Sequence, residues 1–219
     1  MGFVMAVETG YRIELLVKDA DGAIIAQLAS LQTELLPKSL VSLLGEDFAR
    51  SFYRYASRSE QESVLVLLRG NRALGACVLS FDPGSLDRRL LARTPMLAFA
   101  LLRFYRLPLG ALVRESLWRA RSGAKPEHEL LPELVLIFVS HELLGKGLGG
   151  RMMEECETLL RARSIDAYTV NTEDEEGNLA LNFYVSRGFQ VVGKALRHGI
   201  RYIVLRKDLE PPVTAGHPA

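Results

Sequence analysis

Four glycines fall within the six positions 145–150, in the segment LLGKGLGGRMMEECETLL (143–160). Glycine loses the most backbone freedom on folding, so such a cluster predicts a backbone that something must approach closely. The apolar residues that follow recur at helical spacing, and the start of a helix presents unpaired N–H groups with a partial positive charge. The segment therefore predicts a phosphate-binding turn that leads into a helix.

The glycines alone do not identify the ligand that carries this phosphate. Gly145, Gly147 and Gly150 satisfy the dinucleotide pattern G-x-G-x-x-G. However, a dinucleotide fold places this turn after its first strand, and only about 70 residues remain here for further βα units. The surroundings of Lys146 exclude a Walker A loop, because that pattern requires GK followed by Ser or Thr.

Hydrophobic periodicity predicts the elements that must position this turn. The strand at 133–139 is a continuous apolar run, which is typical of a strand buried on both faces. The expected strands are 11–18, 63–69, 73–81, 133–139, 167–170, 190–195 and 201–207, and the expected helices are about 24–36, 45–57, 147–164 and 178–188.

The segment between residues 81 and 133 has a different composition. From residue 85 to 125 there is an excess of seven positive charges, in a chain whose net charge is +1. Its leucines recur at helical spacing, which predicts a helical insertion on the scaffold. We expect a single domain at 1–209, with this insertion at about 84–128 and a disordered tail at 210–219.

The totals exclude several classes of protein. Lys plus Arg (27) and Asp plus Glu (26) nearly balance, so no nucleic-acid partner is expected. Two cysteines and four scattered histidines form neither a disulfide framework nor a metal site, which favours a cytoplasmic location. Arg103, Arg106 and Pro108 interrupt the most apolar window, so no transmembrane segment is expected, and no targeting segment is visible.

Two motifs in the right order carry a resemblance to a known family. Leu144-Gly145-Lys146-Gly147-Leu148-Gly149 fits Q/R-x-x-G-x-G/A except at its first position. Further along, NLALNFYVSRGF (178–189) fits a motif with Asn, Ala, Phe-Tyr and Gly-Phe. The chain resembles the GNAT superfamily of acyl-CoA-dependent N-acetyltransferases.

The resemblance implies an α/β (α+β) fold. Its sheet would be mixed and mostly antiparallel, with splayed central parallel strands, helices on both faces and a helical insertion between the third and fourth strands. Acetyl-CoA would be the co-substrate, without a metal. Its pyrophosphate would lie against the turn formed by Leu144, Gly145, Lys146, Gly147, Leu148, Gly149 and Gly150.

The same resemblance implies roles around a V-shaped cleft. The backbone of Ile137, Phe138 and Val139 would hold the pantetheine arm, with the Val139 N–H near the thioester carbonyl. Asn178 would hydrogen-bond the arm, although its position also predicts a helix N-cap. The departure at Leu144 should weaken binding at most, because backbone N–H groups make most phosphate contacts.

The implied reaction is direct attack of an amine on the acetyl thioester in a ternary complex. Tyr184 is the candidate acid for the leaving thiolate, and a core tyrosine is the alternative. Glu133 is the candidate general base, because it lies 11 residues before Leu144, the spacing of the catalytic glutamate in the histone-acetylating branch. Its apolar neighbours should raise its pKa; a solvated strand-end glutamate, with Glu129 as the base, is the alternative.

The acceptor is the least determined part. A small-molecule amine such as an amino sugar or a nucleotide-linked amino sugar would suit arginines of the insertion, among them Arg114, Arg119 and Arg121. A peptide, protein or polyamine acceptor, a docking surface and a non-catalytic acyl-CoA sensor are the alternatives. The run of acidic residues at 173–176 favours the start of the next helix, or attracts a cationic amine. Trp118 could line the acceptor site, although a packing role is the preferred interpretation. The oligomeric state stays open, with a dimer as one option.

Overall fold

The central feature of the protein, seen in a computed structural model, is one mixed β-sheet. The structure describes residues 4–7, 10–18, 20–93, 130–197 and 200–210. Within them, eight strands pair in the order β1-β2-β3-β4-β5-β6-β8-β7. Their bounds are β1 Val4–Val7, β2 Tyr11–Leu15, β3 Glu62–Arg69, β4 Arg72–Ser80, β5 Glu133–Val139, β6 Ala167–Glu173, β7 Gln190–Arg197 and β8 Ile200–Asp208.

Every neighbouring pair of strands is antiparallel except β5 and β6, which are parallel. The expected mixed, mostly antiparallel sheet is therefore confirmed. One strand is additional, because β1 forms a hairpin with β2. In chain order the basic segment thus follows the fourth strand, not the third. The short apolar run Val4–Val7 indicates a strand only once its partner is known.

Helices cover both faces of the sheet, as expected. Their bounds are α1 Gly22–Leu35, α2 Leu40–Leu43, α3 Glu46–Ala56, α4 Leu86–Arg93, α5 Leu148–Ala162 and α6 Leu179–Val185. Alternation along the strands sends residues to two separate cores. One core packs α5 and α6 against the sheet, and the other packs α1, α3 and α4 against the opposite face.

A buried carboxylate fixes α5 to the sheet behind it. Glu157 accepts a hydrogen bond from the Tyr168 hydroxyl (3.0 Å) and also binds Lys207 and Arg161. Tyr168 lies on β6 and Lys207 on β8, so these contacts join the helix to two strands. Such a buried charge stabilises the fold only when its partners are all present.

The basic segment begins as a helix that is anchored to the sheet. Arg89 of α4 forms ion pairs with Glu62 of β3 and with Asp82, and its Nε donates to the Tyr55 hydroxyl (3.0 Å). At least one arginine of this segment therefore serves packing. The rest of the predicted insertion, with Trp118 and the arginines at 114, 119 and 121, lies outside the described residues, as does the tail after residue 210.

The two cysteines meet in the core between sheet and helix. Cys77 of β4 and Cys156 of α5 are paired through their sulfur atoms, although 79 residues separate them in sequence. Their Cα atoms are 7.7 Å apart, which exceeds the roughly 4.4–6.8 Å that is usual for disulfides. Nothing in the spacing of two cysteines indicates this pairing. The cytoplasmic location stays a prediction.

Candidate active site

The two parallel strands separate soon after they begin. They pair only at Glu133–Thr169 and Leu134–Val170, yet β5 continues to Val139 and β6 to Glu173. Beyond Leu134 the described residues place no strand against this side of β5. The predicted V-shaped cleft therefore exists, and it opens toward the turn that follows Val139.

A bulge in β5 explains why the strands separate. In the pairing with β4, Leu136 lies opposite Val78 and Leu134 opposite Leu79, so Val135 is an extra residue. An extra residue bends its strand and increases the local twist. The bend falls immediately after the last pair with β6, and it directs the remainder of β5 away from that strand.

The open edge of β5 presents the backbone of alternate residues. The Ser140 N–H donates to the Leu74 carbonyl (2.7 Å), so at a period of two the polar groups of Phe138 also face β4. Those of Ile137 and Val139 then face the cleft. Of the three residues predicted to hold the arm, Phe138 therefore has no backbone group free to do so, and its ring packs into the core beneath α1 and α3.

The close approach of β4 and β5 depends on Gly75. A Cβ atom at Gly75 would lie 2.6 Å from the Phe138 carbonyl oxygen and 3.2 Å from the Val139 Cα. No side chain fits there unless β5 moves. Gly75 is thus a residue that positions the cleft, and a lone glycine inside a strand pattern is the only sequence signal for it.

The glycine turn adopts the conformation that its residue types require. Gly145 and Gly147 have φ angles of +74° and +77°, in the left-handed region that favours glycine. The first helical bond runs from the Arg151 N–H to the Gly147 carbonyl (3.1 Å), and no side chain caps the helix. The N–H groups of residues 148–150 consequently have no acceptor in the helix.

The other residues of the turn divide by exposure. The side chains of Leu144 and Lys146 are exposed, whereas Leu148, the first residue of α5, is buried in the core. A Cβ atom at Gly149 would find only ordinary contact with the Phe183 ring, at 3.7 Å. Gly149 is therefore dispensable for packing, and its absence of a side chain leaves the helix start open to a ligand.

Tyr184 of α6 is buried among aromatic rings on the α5 face. Its ring makes edge-to-face contacts with Phe183 and Phe189, at centroid distances of 5.4 and 5.5 Å. Among the described residues its hydroxyl has no hydrogen-bond partner, so it is available to a ligand. Burial raises the pKa of Tyr184 above its usual range.

Glu133 begins β5 at the closed end of the cleft. It lies opposite Ser80 of β4 on one side and Thr169 of β6 on the other. Its exposed fraction is only 6%, which confirms the predicted desolvation and excludes a fully solvated strand end. The alternative base, Glu129, lies outside the described residues.

Asn178 is the N-cap of α6. Its Oδ1 accepts from the N–H groups of Ala180 (2.9 Å) and Leu181 (3.3 Å). Its Nδ2 donates to the Thr172 hydroxyl (2.8 Å) and to the Glu173 carbonyl (2.6 Å). The side chain thus joins the start of α6 to the end of β6. Its predicted hydrogen bond to the arm would have to replace one of these four.

Comparison with known proteins bears on this geometry. The family model described as an acetyltransferase (GNAT) domain matches residues 124–209, which contain the cleft, the glycine turn, Tyr184 and Glu133. The fold match extends further, over 87–95% of the chain, to solved acetyltransferases. Residues 124–209 thus match a GNAT acetyltransferase domain, and the chain shares the fold of solved acetyltransferases. The matched family implies an acyltransferase with acetyl-CoA as its co-substrate.

Similar solved structures span nearly the whole length of both chains. An aminoglycoside 6'-acetyltransferase type Ii is 13% identical with a TM-score of 0.58, and 91% of this chain and 97% of that chain are covered. An acyl-CoA N-acyltransferase from Pseudomonas aeruginosa is 15% identical with a TM-score of 0.52, covering 89% and 97%. A further acetyltransferase is 17% identical with a TM-score of 0.53, covering 87% and 97%. At these identities the likeness shows the shared fold alone. No curated protein sequence matches significantly.

The acidic run at the end of β6 is largely paired with lysines. Lys38, between α1 and α2, lies 2.8 Å from Glu175 and 3.5 Å from Glu173, and Lys194 lies 2.8 Å from Asp174. The hydrogen bond to Glu175 and the charges of both glutamates raise the pKa of Lys38. The run therefore lies outside the first turn of α6, and its ion pairs with lysines leave little negative charge to attract a cationic amine.

Arg187 is a residue of the site that the sequence patterns did not reveal. Its guanidinium stacks on the Phe183 ring, with Cζ 3.9 Å from the ring centre. It also lies against the first turn of α5, because a Cβ atom at Gly150 would be 2.5 Å from its Nη2. The spacing of residues 183 and 187 is compatible with the stacking, but only the tertiary structure shows the contact with Gly150.

In the part of the chain that the structure describes, no three His, Cys, Asp or Glu side chains are grouped as a metal site requires. Within the same residues, no helix is both long and apolar enough to cross a membrane.

Proposed function

We propose that this protein transfers the acetyl group of acetyl-CoA directly to a primary amine while both substrates are bound. The observation that carries the proposal is the separation of β5 and β6 immediately before the glycine turn. This arrangement offers a cleft for an extended arm and, at its open end, a site for the phosphates of the same molecule.

The residues present fit acetyl-CoA. Unpaired N–H groups at a helix start favour an anion, and the left-handed turn directs the backbone toward it. Ile137 and Val139 would provide the edge along which amide groups of the arm can pair. The Val139 N–H would stabilise the negative charge that develops on the thioester oxygen.

Glu133 would act as the general base. An alkylammonium has a pKa of about 10.4, so it must lose a proton before its nitrogen can attack. Because Glu133 lies six residues before Val139 on β5, it would accept that proton through a chain of waters in the cleft as the new C–N bond forms. Its burial at the closed end of the cleft supports this role.

Tyr184 would assist the last step of the reaction, in which the thiolate departs. When the C–S bond breaks, the departing sulfur carries a negative charge, and a thiol has a pKa of only about 8.5. Because burial raises the pKa of Tyr184, complete proton transfer from it is uphill. We therefore assign Tyr184 a hydrogen bond to the sulfur, with the proton following late.

The acceptor is proposed to be an amino sugar, free or linked to a nucleotide. The ion pairs of the acidic run weigh against a polyamine, because they leave few free carboxylates to attract several positive charges. The excess positive charge of the insertion suits an amine that also carries phosphate. One structural relative is, by its name, an aminoglycoside 6'-acetyltransferase, which agrees with an amino-sugar acceptor.

A panel of amines tests the proposal. Release of free thiol from acetyl-CoA would be measured with nucleotide-linked amino sugars, simple amino sugars, polyamines and lysine peptides. We expect thiol release that depends on the amine and is fastest with amino sugars. Thiol release with peptides or polyamines alone would show that the acceptor belongs to one of those classes instead. Tight acetyl-CoA binding without any thiol release would favour a non-catalytic sensor.

A further inference from the structure

The guanidinium of Arg187 is held on three sides. The Phe183 ring lies beneath it, the Phe183 carbonyl accepts from its Nη1 at 3.3 Å, and Gly150 leaves room for its Nη2. The side chain is only partly buried, so it also reaches solvent. A side chain held in this way loses little further freedom when it binds a ligand.

This position is electrostatically unfavourable for a cation. The start of a helix carries a partial positive charge, and cations are stabilised at the opposite end. Gly150 is the third residue of α5, so Arg187 lies at the positive end. No carboxylate among the described residues forms an ion pair with Arg187. Lys146 and Arg151 add two exposed basic side chains to the same turn.

An anion would reverse that balance, because the helix start and the guanidinium would then attract the same group. We propose that Arg187 binds a phosphate group of acetyl-CoA and contributes to selection of the phosphorylated carrier. This inference rests on the proposed function. A planar guanidinium suits a phosphate because it can donate two parallel hydrogen bonds.

The chain offers a matched control at the other end of the same helix. Arg163 also stacks on a phenylalanine, with its Cζ 3.8 Å from the centre of the Phe81 ring. It follows the last residue of α5, far from the glycine turn in sequence. Arg187→Gln and Arg163→Gln therefore remove the same charge and the same kind of stacking.

Calorimetry would measure the Kd of acetyl-CoA and of 3'-dephospho-acetyl-CoA for the wild type and both variants. We expect Arg187→Gln to raise the Kd of acetyl-CoA about tenfold or more, and Arg163→Gln to leave it unchanged. If the loss disappears with the dephospho form, Arg187 binds the 3'-phosphate. If the loss persists, Arg187 binds the pyrophosphate.

An Arg187→Gln variant with wild-type affinity for both molecules would overturn the inference and leave the proposed function intact. Failure of the wild type to bind acetyl-CoA would instead overturn the proposed function itself. If Arg187→Gln does not fold, Gly150→Ala is the second variant. Its methyl group displaces the guanidinium, so we expect the same loss of acetyl-CoA affinity.

Discussion

At the scale of single residues, Tyr184 and Tyr168 form a natural pair for comparison. Both are buried in the aromatic cluster around Phe189. The Tyr168 hydroxyl donates to Glu157 at 3.0 Å, whereas the Tyr184 hydroxyl has no partner among the described residues. Hence the first hydroxyl serves the fold, and the second is available for the reaction.

We predict that Tyr184→Phe lowers kcat by about tenfold and leaves acetyl-CoA affinity and Tm nearly unchanged, because one hydrogen bond to the sulfur is lost. Tyr168→Phe should do the reverse, lowering stability by about 1 kcal/mol with kcat preserved. Steady-state kinetics and thermal melting measure both. An unchanged kcat for Tyr184→Phe would remove the hydroxyl from the mechanism.

The raised pKa of Tyr184 also has a consequence for pH. Because burial favours the neutral phenol, the hydroxyl keeps its proton throughout neutral and mildly alkaline solution. We predict that kcat of the wild type shows no decline caused by Tyr184 below about pH 10. A decline near pH 8 that Tyr184→Phe abolishes would contradict the direction of this shift.

Glu133 is tested by its own pH–rate profile. A base role predicts that Glu133→Gln lowers the rate at pH 7 by roughly a hundredfold. The loss should shrink in alkali, as the amine with its pKa of about 10.4 deprotonates unaided. Glu142→Gln is the control, because Glu142 follows the same strand but is exposed and pairs with Arg72. A profile parallel to the wild type would remove Glu133 from the mechanism.

At the scale of elements, the turn between β5 and α5 couples backbone conformation to binding. Gly147→Val forces a β-branched residue into the left-handed region, and should abolish the rise in Tm that acetyl-CoA causes. Gly70→Val is the control, because Gly70 also has a positive φ (+59°) but lies in the β3–β4 turn. The strain in Gly70→Val should lower the free energy of unfolding by about 1–3 kcal/mol, and Tm with it. The rise in Tm caused by acetyl-CoA should be retained. Equal ligand effects in both variants would contradict a phosphate site at this turn.

The elements of this region were predictable because their signals are local. The apolar run of β5 matches its strand at both ends, and the glycines that need a positive φ lie where the sequence predicts the turn. The allocation of hydrogen bonds was not predictable. The side chain of Asn178 makes all four of its hydrogen bonds to α6 and β6, and the backbone of Phe138 faces β4. Both arrangements depend on strand register, which is set by partners distant in sequence.

At the scale of the whole molecule, the two faces of the sheet would serve different steps of the proposed reaction. Tyr184 and α5 belong to one core, whereas Glu133 lies in the row of Glu62 and Ser80, which faces α1, α3 and α4. The base and the acid would therefore reach the thioester from opposite faces, through the gap between β5 and β6. This division would also place the amine on the face from which the basic segment begins.

The basic segment gives a prediction for the acceptor. Replacing Arg114, Arg119 and Arg121 by Gln should raise the KM for a phosphorylated amine acceptor and leave that for acetyl-CoA unchanged, because only the acceptor would bind there. Replacing the exposed Arg54 and Arg58 of the α3 end provides the control for net charge. If both KM values change together, or neither changes, the segment has a role in docking or solubility instead.

Binding of acetyl-CoA itself tests the central claim most directly, since it requires no knowledge of the acceptor. Thermal melting would be followed with acetyl-CoA and, at equal concentrations, with NAD. Ligand that binds only the folded protein stabilises it by about 2.7 kcal/mol at a hundred times Kd. We predict a rise in Tm that grows with acetyl-CoA concentration and no rise with NAD. No rise with acetyl-CoA, or an equal rise with NAD, would contradict the account.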